Sequence, residues 1–206
     1  MFNEDGYEVR KNVIGKETLE LVYNYYKLKL ENNEFDTESI LNPVPGSNSL
    51  YGDTLGDVIL QQTLPLAQEV IGEELYPCYT FVRIYHKGHF LEPHHDRISC
   101  EFSITLPIYF DKPWPIYMQK YDFEKYGEDF VKSTKEDPSK SIILEVGDMC
   151  FYEGPKMNHW RFPYDGNECV QLFVHYVRKN GEYSKYKFDK RKNLGLKRVV
   201  SNESNR

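Results

Sequence analysis

Histidine and aspartate residues in two short segments have the types and spacing of a metal site. His94 and Asp96 are separated by one residue, at the end of an apolar stretch that is typical of a β-strand. Side chains alternate between the two faces of a strand, so His94 and Asp96 share a face and His95 points to the other. With a second histidine, this pair forms a site for divalent iron with positions left open for dioxygen.

The second histidine must come from another strand, and two residues are candidates. His159 lies in the segment 157–161 (MNHWR), one hairpin after the turn signal Gly147-Asp148. His175 lies deep in an apolar stretch, where a histidine with ordinary hydrogen bonds is more typical. The residues alone also allow a simpler interpretation, in which the His-x-Asp pair only makes hydrogen bonds within a β-sandwich.

Composition limits the class of protein. The 206 residues are 40% hydrophobic and 28% charged, which is typical of a single soluble globular domain. A net charge of -6 does not favour general binding to nucleic acid. The N-terminal segment is polar and acidic, and no apolar stretch has the length of a membrane span. We therefore predict a cytoplasmic protein without a membrane partner.

Four cysteines are present, and no two have the spacing of a zinc or thioredoxin-like site. Each lies in an apolar, strand-like stretch, which predicts buried free thiols in a reducing compartment. These residues are Cys78, Cys100, Cys150 and Cys169.

Hydrophobic periodicity predicts helices first and strands afterwards. Residues 7–14 could form an opening strand, 16–31 have helical spacing, 32–53 read as a loop, and 54–72 read as a helix that Pro65 should kink or split. Eight candidate strands follow: 78–86, 89–96, 99–109, 115–119, 141–146, 149–153, 157–162 and 168–178. This order predicts an α+β protein with a sandwich or jelly roll. The polar segment 120–140 is either a lid or a surface excursion.

The domain boundaries follow from the same pattern. We expect one domain over residues 1–182, helical to residue 75 and a jelly-roll core over 76–180. Lysines and arginines are dense between residues 185 and 198, so 183–206 is predicted to be a basic, solvated C-terminal tail.

Several short motifs resemble one known family. Tyr85, Gly88 and His94 have the spacing of the prolyl 4-hydroxylase branch of the Fe(II)- and 2-oxoglutarate-dependent oxygenases, in a form common in bacteria and phages. Further matching motifs occur in the same order: Asp96-Arg97, Cys100-Glu101-x-Ser103, Trp114-Pro115-Ile116, Gly147-Asp148, His159-Trp160-Arg161 and the segment 170–176 (VQLFVHY). The resemblance covers about residues 75 to 180 and, more faintly, the N-terminal helices.

The resemblance implies a fold and a chemistry. The fold would be a double-stranded β-helix, a cupin-like jelly roll, with N-terminal helices packed on the sheet. His94, Asp96 and His159 would be the catalytic iron ligands, and Tyr85 would hydrogen-bond the cosubstrate 2-oxoglutarate. Dioxygen would be the oxidant, with ascorbate as a possible reductant.

The resemblance also suggests what such an oxidoreductase would act on. The implied reaction is hydroxylation of an aliphatic C–H bond, with a prolyl residue in a peptide or protein as the first substrate and a free amino acid or small metabolite as the alternative. Asp96 would occupy one metal coordination position with a protein carboxylate, which is typical of hydroxylating rather than halogenating members. The rival class is a non-enzymatic cupin-like binding module. Neither interpretation predicts an oligomeric state.

One feature departs from the family pattern. The family usually places a lysine or arginine about ten residues after the distal histidine, to pair with the far carboxylate of 2-oxoglutarate, but the segment 166–171 (GNECVQ) has no cation. Arg161 lies two residues after His159 and faces the same side of the strand, so we expect it to be the substitute. Arg83, two residues before Tyr85, is the second candidate, while Arg97 should point away from the metal.

Overall fold

The protein folds into two antiparallel sheets and five α-helices over the residues described by this computed structural model, which are 2–37, 44 and 46–196. The helices are α1 (Phe2–Asp5), α2 (Lys16–Glu31), α3 (Thr54–Ile71), α4 (Phe123–Tyr126) and α5 (Phe130–Glu136). The strands are β1 (Tyr7–Arg10), β2 (Asn48–Tyr51), β3 (Leu75–His86), β4 (Leu91–His94), β5 (Phe102–Phe110), β6 (Ile116–Lys120), β7 (Lys140–Ile142), β8 (Met149–Tyr152), β9 (Met157–Arg161) and β10 (Glu168–Arg178).

The larger sheet has six strands in the order β1-β8-β5-β10-β3-β2, and the smaller has four in the order β4-β9-β6-β7. Strands close in sequence are divided between the two sheets, as in a jelly roll. The prediction of an α+β double-stranded β-helix is confirmed.

The N-terminal helices pack on the outer face of the larger sheet. Helix α2 buries Leu19, Val22 and Tyr26, and α3 buries an apolar stripe, in the same core as Leu106 of β5 and Leu172 of β10. Because strand side chains alternate, the neighbours of these core residues point to the opposite face, into the space between the two sheets. We call this space the barrel interior.

The structure corrects one prediction about the N-terminal half and excludes one of the two alternatives for Pro65. Asn48–Tyr51, within the predicted loop, forms edge strand β2 because its backbone pairs with β3. Helix α3 is not split at Pro65 but runs from Asp53, whose side chain accepts a hydrogen bond from Leu55 N at 3.0 Å, to Gly72, with φ +80°. Burial of its apolar stripe holds the helix together across the proline. Residues 38–43 and 45 of the loop lie outside the described residues.

The basic segment near the C-terminus is docked at Asp189 and Arg191, whereas Lys185, Lys187, Lys190 and Lys192 are exposed to solvent. A 3₁₀ segment, Ser184–Lys190, packs on β3, and Asp189 of this segment pairs with Arg97 at 3.0 Å. Arg191 is 7% exposed and pairs with Asp57 of α3 at 2.7 Å. Buried pairing of this kind fixes a segment that composition alone marks as solvated. Residues 197–206 of the predicted tail lie outside the described residues.

All four cysteines are buried and free, as their apolar surroundings predicted. Among the described helices, none combines the length and the apolar character needed to cross a membrane.

Candidate metal centre

The three predicted metal ligands converge at one end of the barrel interior. His94 of β4 and His159 of β9 are directly opposite in the smaller sheet, with ring centroids 4.3 Å apart. Asp96 follows β4, and its Oδ1 lies 3.7 Å from His159 Nε2. One ligand atom from each of the three residues lies within 4.8 Å of the others. This spacing suits a single ion bound by two imidazoles and one carboxylate.

Backbone hydrogen bonds orient both imidazole rings. Nδ1 of His94 lies 2.8 Å from the carbonyl oxygen of Glu92, and Nδ1 of His159 lies 3.0 Å from that of Met157. A carbonyl can only accept, so each Nδ1 carries the proton and each Nε2 keeps its lone pair for a metal. Burial, followed by the neighbouring His94, lowers the pKa of His159 to about 4. This ring is therefore neutral at neutral pH, the form that binds metal.

The carboxylate of Asp96 is held by a second polar group. Ser103 of β5 donates its hydroxyl hydrogen bond to Asp96 Oδ2 at 2.7 Å, which leaves Oδ1 on the side of His159. Burial alone would raise the pKa of Asp96, but His159, His175 and His94 outweigh burial and lower it. Asp96 is thus ionised and oriented before any metal binds.

His175 supports the Asp96 carboxylate indirectly, through Ser103. Its Nδ1 lies 2.9 Å from the Ser103 hydroxyl, and its ring stacks on Tyr79 with centroids 4.4 Å apart. Asp96, Cys100 and His175 also have potential ligand atoms within 4.8 Å of one another. Burial raises the pKa of the Cys100 thiol well above its ordinary value, so this sulfur stays protonated and is a poor ligand. The site with His94 and His159 is therefore the better metal centre.

His95 and Arg97 lie away from the triad, as strand alternation predicted. The His95 ring packs against Phe123 and Phe130 of the segment 120–140, on the outside of the smaller sheet. Arg97 pairs with Asp189 and donates from Nε to the Tyr79 hydroxyl at 3.3 Å.

Arg161 lies inside the barrel, further along β9 from His159. Its side chain is 3% exposed, donates to the carbonyl oxygen of Trp114, and lies with its guanidinium 4.8 Å from the Trp114 ring centroid. Its Nε has no hydrogen-bond partner, and neither does the hydroxyl of the fully buried Tyr85. Buried polar atoms in folded proteins nearly always have partners, and these two unsatisfied groups both lie against the Trp114 ring, so both are available to one polar ligand.

Arg83 of β3 is a second buried cation on the interior side. It is 5% exposed, and its guanidinium carbon lies 4.9 Å from the Phe81 ring centroid and 5.7 Å from that of Tyr85. Its Nε is also without a partner. Sequence reasoning placed Arg83, Arg161 and Tyr85 on the inner faces of their strands, and the structure has all three there.

Sequence reasoning gave no role to the polar residues of β5 and β10 that complete the interior. Thr105 donates to Gln171 Oε1 at 3.1 Å, and Gln171 donates to Cys169 Sγ at 3.3 Å. Gln171 lies in the segment 166–171, which has no cation. Ser103, Thr105 and Gln171 alternate with core residues along their strands. This period of two is the pattern by which the sequence could have identified these interior polar residues.

Comparison with known proteins gives the fold. No family model and no curated protein sequence matches the chain. Among solved structures, the epimerase SnoN in complex with Fe³⁺, alpha-ketoglutarate and nogalamycin RO aligns with TM-score 0.67 and 13% identity, over 86% of this chain and 80% of SnoN. A Pseudomonas putida prolyl-4-hydroxylase aligns with TM-score 0.61 and 12% identity, over 86% and 95% of the two chains. HygX from Streptomyces hygroscopicus, with nickel, 2-oxoglutarate and hygromycin B, aligns with TM-score 0.63 and 12% identity, over 87% and 85%.

The chain therefore has the double-stranded β-helix fold of the non-heme, 2-oxoglutarate-dependent enzymes, including a prolyl-4-hydroxylase. At these identities the similarity establishes the fold, whereas the chemistry has to be argued from the site.

Proposed function

We propose that the protein is an Fe(II)- and 2-oxoglutarate-dependent dioxygenase that hydroxylates an aliphatic C–H bond. The observation that carries this proposal is the convergence of His94, Asp96 and His159, with both Nε2 atoms and one carboxylate oxygen free for a metal. A facial set of two histidines and one carboxylate leaves positions open on the other side of the ion. In such a site, iron with 2-oxoglutarate supplies the dioxygen activation and C–H oxidation.

The residues of the interior fit 2-oxoglutarate as this polar ligand. Arg161 is two residues from His159, which corresponds to about 7 Å along a strand and suits a short diacid that also reaches the metal. Its guanidinium matches a carboxylate with two parallel hydrogen bonds. The orphaned Tyr85 hydroxyl and Arg161 Nε would gain partners from the same ligand. We assign the far carboxylate to Arg161 and Tyr85, with Arg83 as the second candidate.

The protein groups around the metal would do three things. His94 and His159 stay neutral and fixed in orientation through their Nδ1 hydrogen bonds. Asp96 places one oxygen toward the ion while Ser103 holds the other. The apolar walls around Tyr85, formed with Leu91, Trp114, Tyr164 and Cys169, exclude water from the cosubstrate side.

Two substrate classes are supported by different observations. The sequence resemblance and the similarity to a prolyl-4-hydroxylase support a prolyl residue in a peptide or protein. The HygX and SnoN complexes, which contain hygromycin B and nogalamycin RO, support a small molecule. Both substrates would react by the same hydroxylation chemistry.

The test of the proposed function needs no primary substrate. Purified protein is loaded with Fe(II) and ascorbate, and slow succinate formation from 2-oxoglutarate in air is measured. We expect succinate from the unmodified protein and none from His94→Ala. A protein that binds neither Mn(II) nor 2-oxoglutarate by titration calorimetry would instead be a cupin-like binding module.

A further inference from the structure

Among the residues that the structure describes, Arg83 has no partner of opposite charge. The side chain is 5% exposed and lies against the rings of Phe81 and Tyr85, which offer a cation only weak compensation when no carboxylate is near. No described carboxylate forms an ion pair with Arg83, and its Nε has no hydrogen-bond partner. An unpaired buried charge is costly to keep, so a residue of this kind points to a ligand that is absent.

Among the described residues of the barrel interior, the charges do not balance without a further anion. In the proposed complex, the divalent iron, Arg161 and Arg83 carry four positive charges, while Asp96 and 2-oxoglutarate carry three negative ones. The histidine ligands are neutral, and burial raises the pKa of Cys150 to about 12 and that of Cys169 to about 11, so the thiols add nothing. One negative charge is missing, and the unpaired cation is Arg83.

Two partly buried aromatic side chains lie between the metal end and Arg83. Phe81 and Phe173 face each other on the central strands β3 and β10, on the inner side, yet both are only partly buried. Phe173 is two residues from His175, which is joined through Ser103 to Asp96. A ligand lying against Phe81 and Phe173 would therefore have the metal end on one side and Arg83 on the other.

We propose that Arg83 binds a carboxylate of the primary substrate, which is therefore an organic acid or a chain end with a free carboxylate near the reacting carbon. A monoanion supplies the single missing charge, and the aromatic walls suit its apolar part. An internal prolyl residue would leave Arg83 unpaired. The proposal rests on the proposed function, since the charge count includes the metal and 2-oxoglutarate.

The test separates the two arginines by binding measurements on the full chain loaded with Mn(II). First, the affinity for 2-oxoglutarate is measured by calorimetry for the unmodified protein and for Arg161→Gln, Arg83→Gln and Arg83→Lys. We expect Arg161→Gln to weaken 2-oxoglutarate at least tenfold and both Arg83 variants to stay within threefold. Equal losses in Arg161→Gln and Arg83→Gln would assign Arg83 to the cosubstrate and overturn the proposal.

Second, the protein saturated with Mn(II) and 2-oxoglutarate is titrated with benzoate, hexanoate and N-acetyl-L-proline, each against its primary amide. We expect at least one acid to bind tenfold more tightly than its amide, with the preference lost in Arg83→Gln and partly kept in Arg83→Lys. Circular dichroism melting checks that both variants fold. The proposal is overturned if no acid binds below 10 mM, if amides bind as well, or if the preference survives in Arg83→Gln.

Failure of the proposed function gives a different result. In that case the unmodified protein would not bind Mn(II) and 2-oxoglutarate in the first experiment, before Arg83 is tested.

Discussion

The outer face of the larger sheet and the barrel interior are built by the same strands but have opposite character. On β5, Ile104 and Leu106 pack under the helices, while Ser103 and Thr105 between them make side-chain hydrogen bonds inside the barrel. On β10, Leu172 and Val174 alternate in the same way with Gln171 and His175. The outer face is mostly apolar, whereas the interior holds Arg83 and Arg161, neither of which has a carboxylate partner among the described residues.

Along one strand, residues that stabilise the fold therefore alternate with residues that are available for ligand binding. The outer face holds the sheet to its helices through apolar burial, which stabilises the fold without any ligand. Interior residues are positioned by that packing and keep unsatisfied groups for ligands, at a cost to stability. Changes on the outer face should therefore alter unfolding, and changes in the interior should alter binding.

The largest expected effect is loss of the metal. His94→Ala removes one of three ligands, and we expect its affinity for Mn(II), measured by calorimetry, to fall more than about 100-fold, beyond the loss typical of residues that only support a ligand. His95→Ala is the matched control, because the adjacent side chain points out of the barrel, and its affinity should change little. A comparable loss in both variants would disprove the division between faces.

Leu106→Ala should act on stability instead. The side chain is fully buried in the helix-packed core, so its truncation should lower the free energy of unfolding by about 2–5 kcal/mol. Chemical denaturation measures this loss, and the affinity of the folded protein for Mn(II) should remain within about threefold of the unmodified value. Thr105→Ala, on the adjacent inward position, should destabilise clearly less.

Ser103→Ala tests the support of the metal carboxylate. Loss of the hydrogen bond to Asp96 Oδ2 should weaken Mn(II) by about 10-fold, as is typical for groups that orient a ligand. Ser103→Thr keeps the hydroxyl and should restore most of the affinity. An unaffected affinity in Ser103→Ala would mean that Asp96 is oriented by the backbone alone.

The last prediction is a pH dependence of stability that arises from the histidines of the barrel interior. Burial lowers the pKa of His159 and of His175 to about 4, while an unfolded histidine titrates near 6.5. The unfolded chain therefore binds more protons between these values, so the metal-free protein should lose stability as pH falls from about 6.5 to about 4. Denaturation in the presence of chelator measures this slope, and His175→Gln should flatten it. A slope that His175→Gln leaves unchanged would place the titrating groups elsewhere.

Local patterns were enough to predict most of the helices and strands and the chemistry of the ligands. The bounds of β10 (168–178) and of α2 (16–31) follow from hydrophobic period alone, and the spacing of His94 and Asp96 gave two residues on one face. These inferences succeed because period and alternation are properties of a single segment.

Segment-level patterns could not predict pairings between distant parts of the chain. Edge strand β2 exists because β3 offers it a partner, and the basic segment at 184–191 is docked because Asp57 and Arg97 lie where its charges reach them. Neither partner can be identified from the segment itself, so both regions were predicted as loop or tail.

The sequence by itself determined which residue types could form the site: two histidine positions, one carboxylate, a tyrosine and several arginines on the inward side of their strands. The tertiary structure alone decided which of them meet. It placed His159 opposite His94 by strand register, joined His175 to Ser103 by a hydrogen bond, and buried Arg161 and Arg83 in the barrel without carboxylate partners among the described residues. The physical reason is that the strand face of a side chain and the hydrophobic period are properties of a single segment. Strand register, burial and charge pairing instead depend on how the two sheets close around a common space.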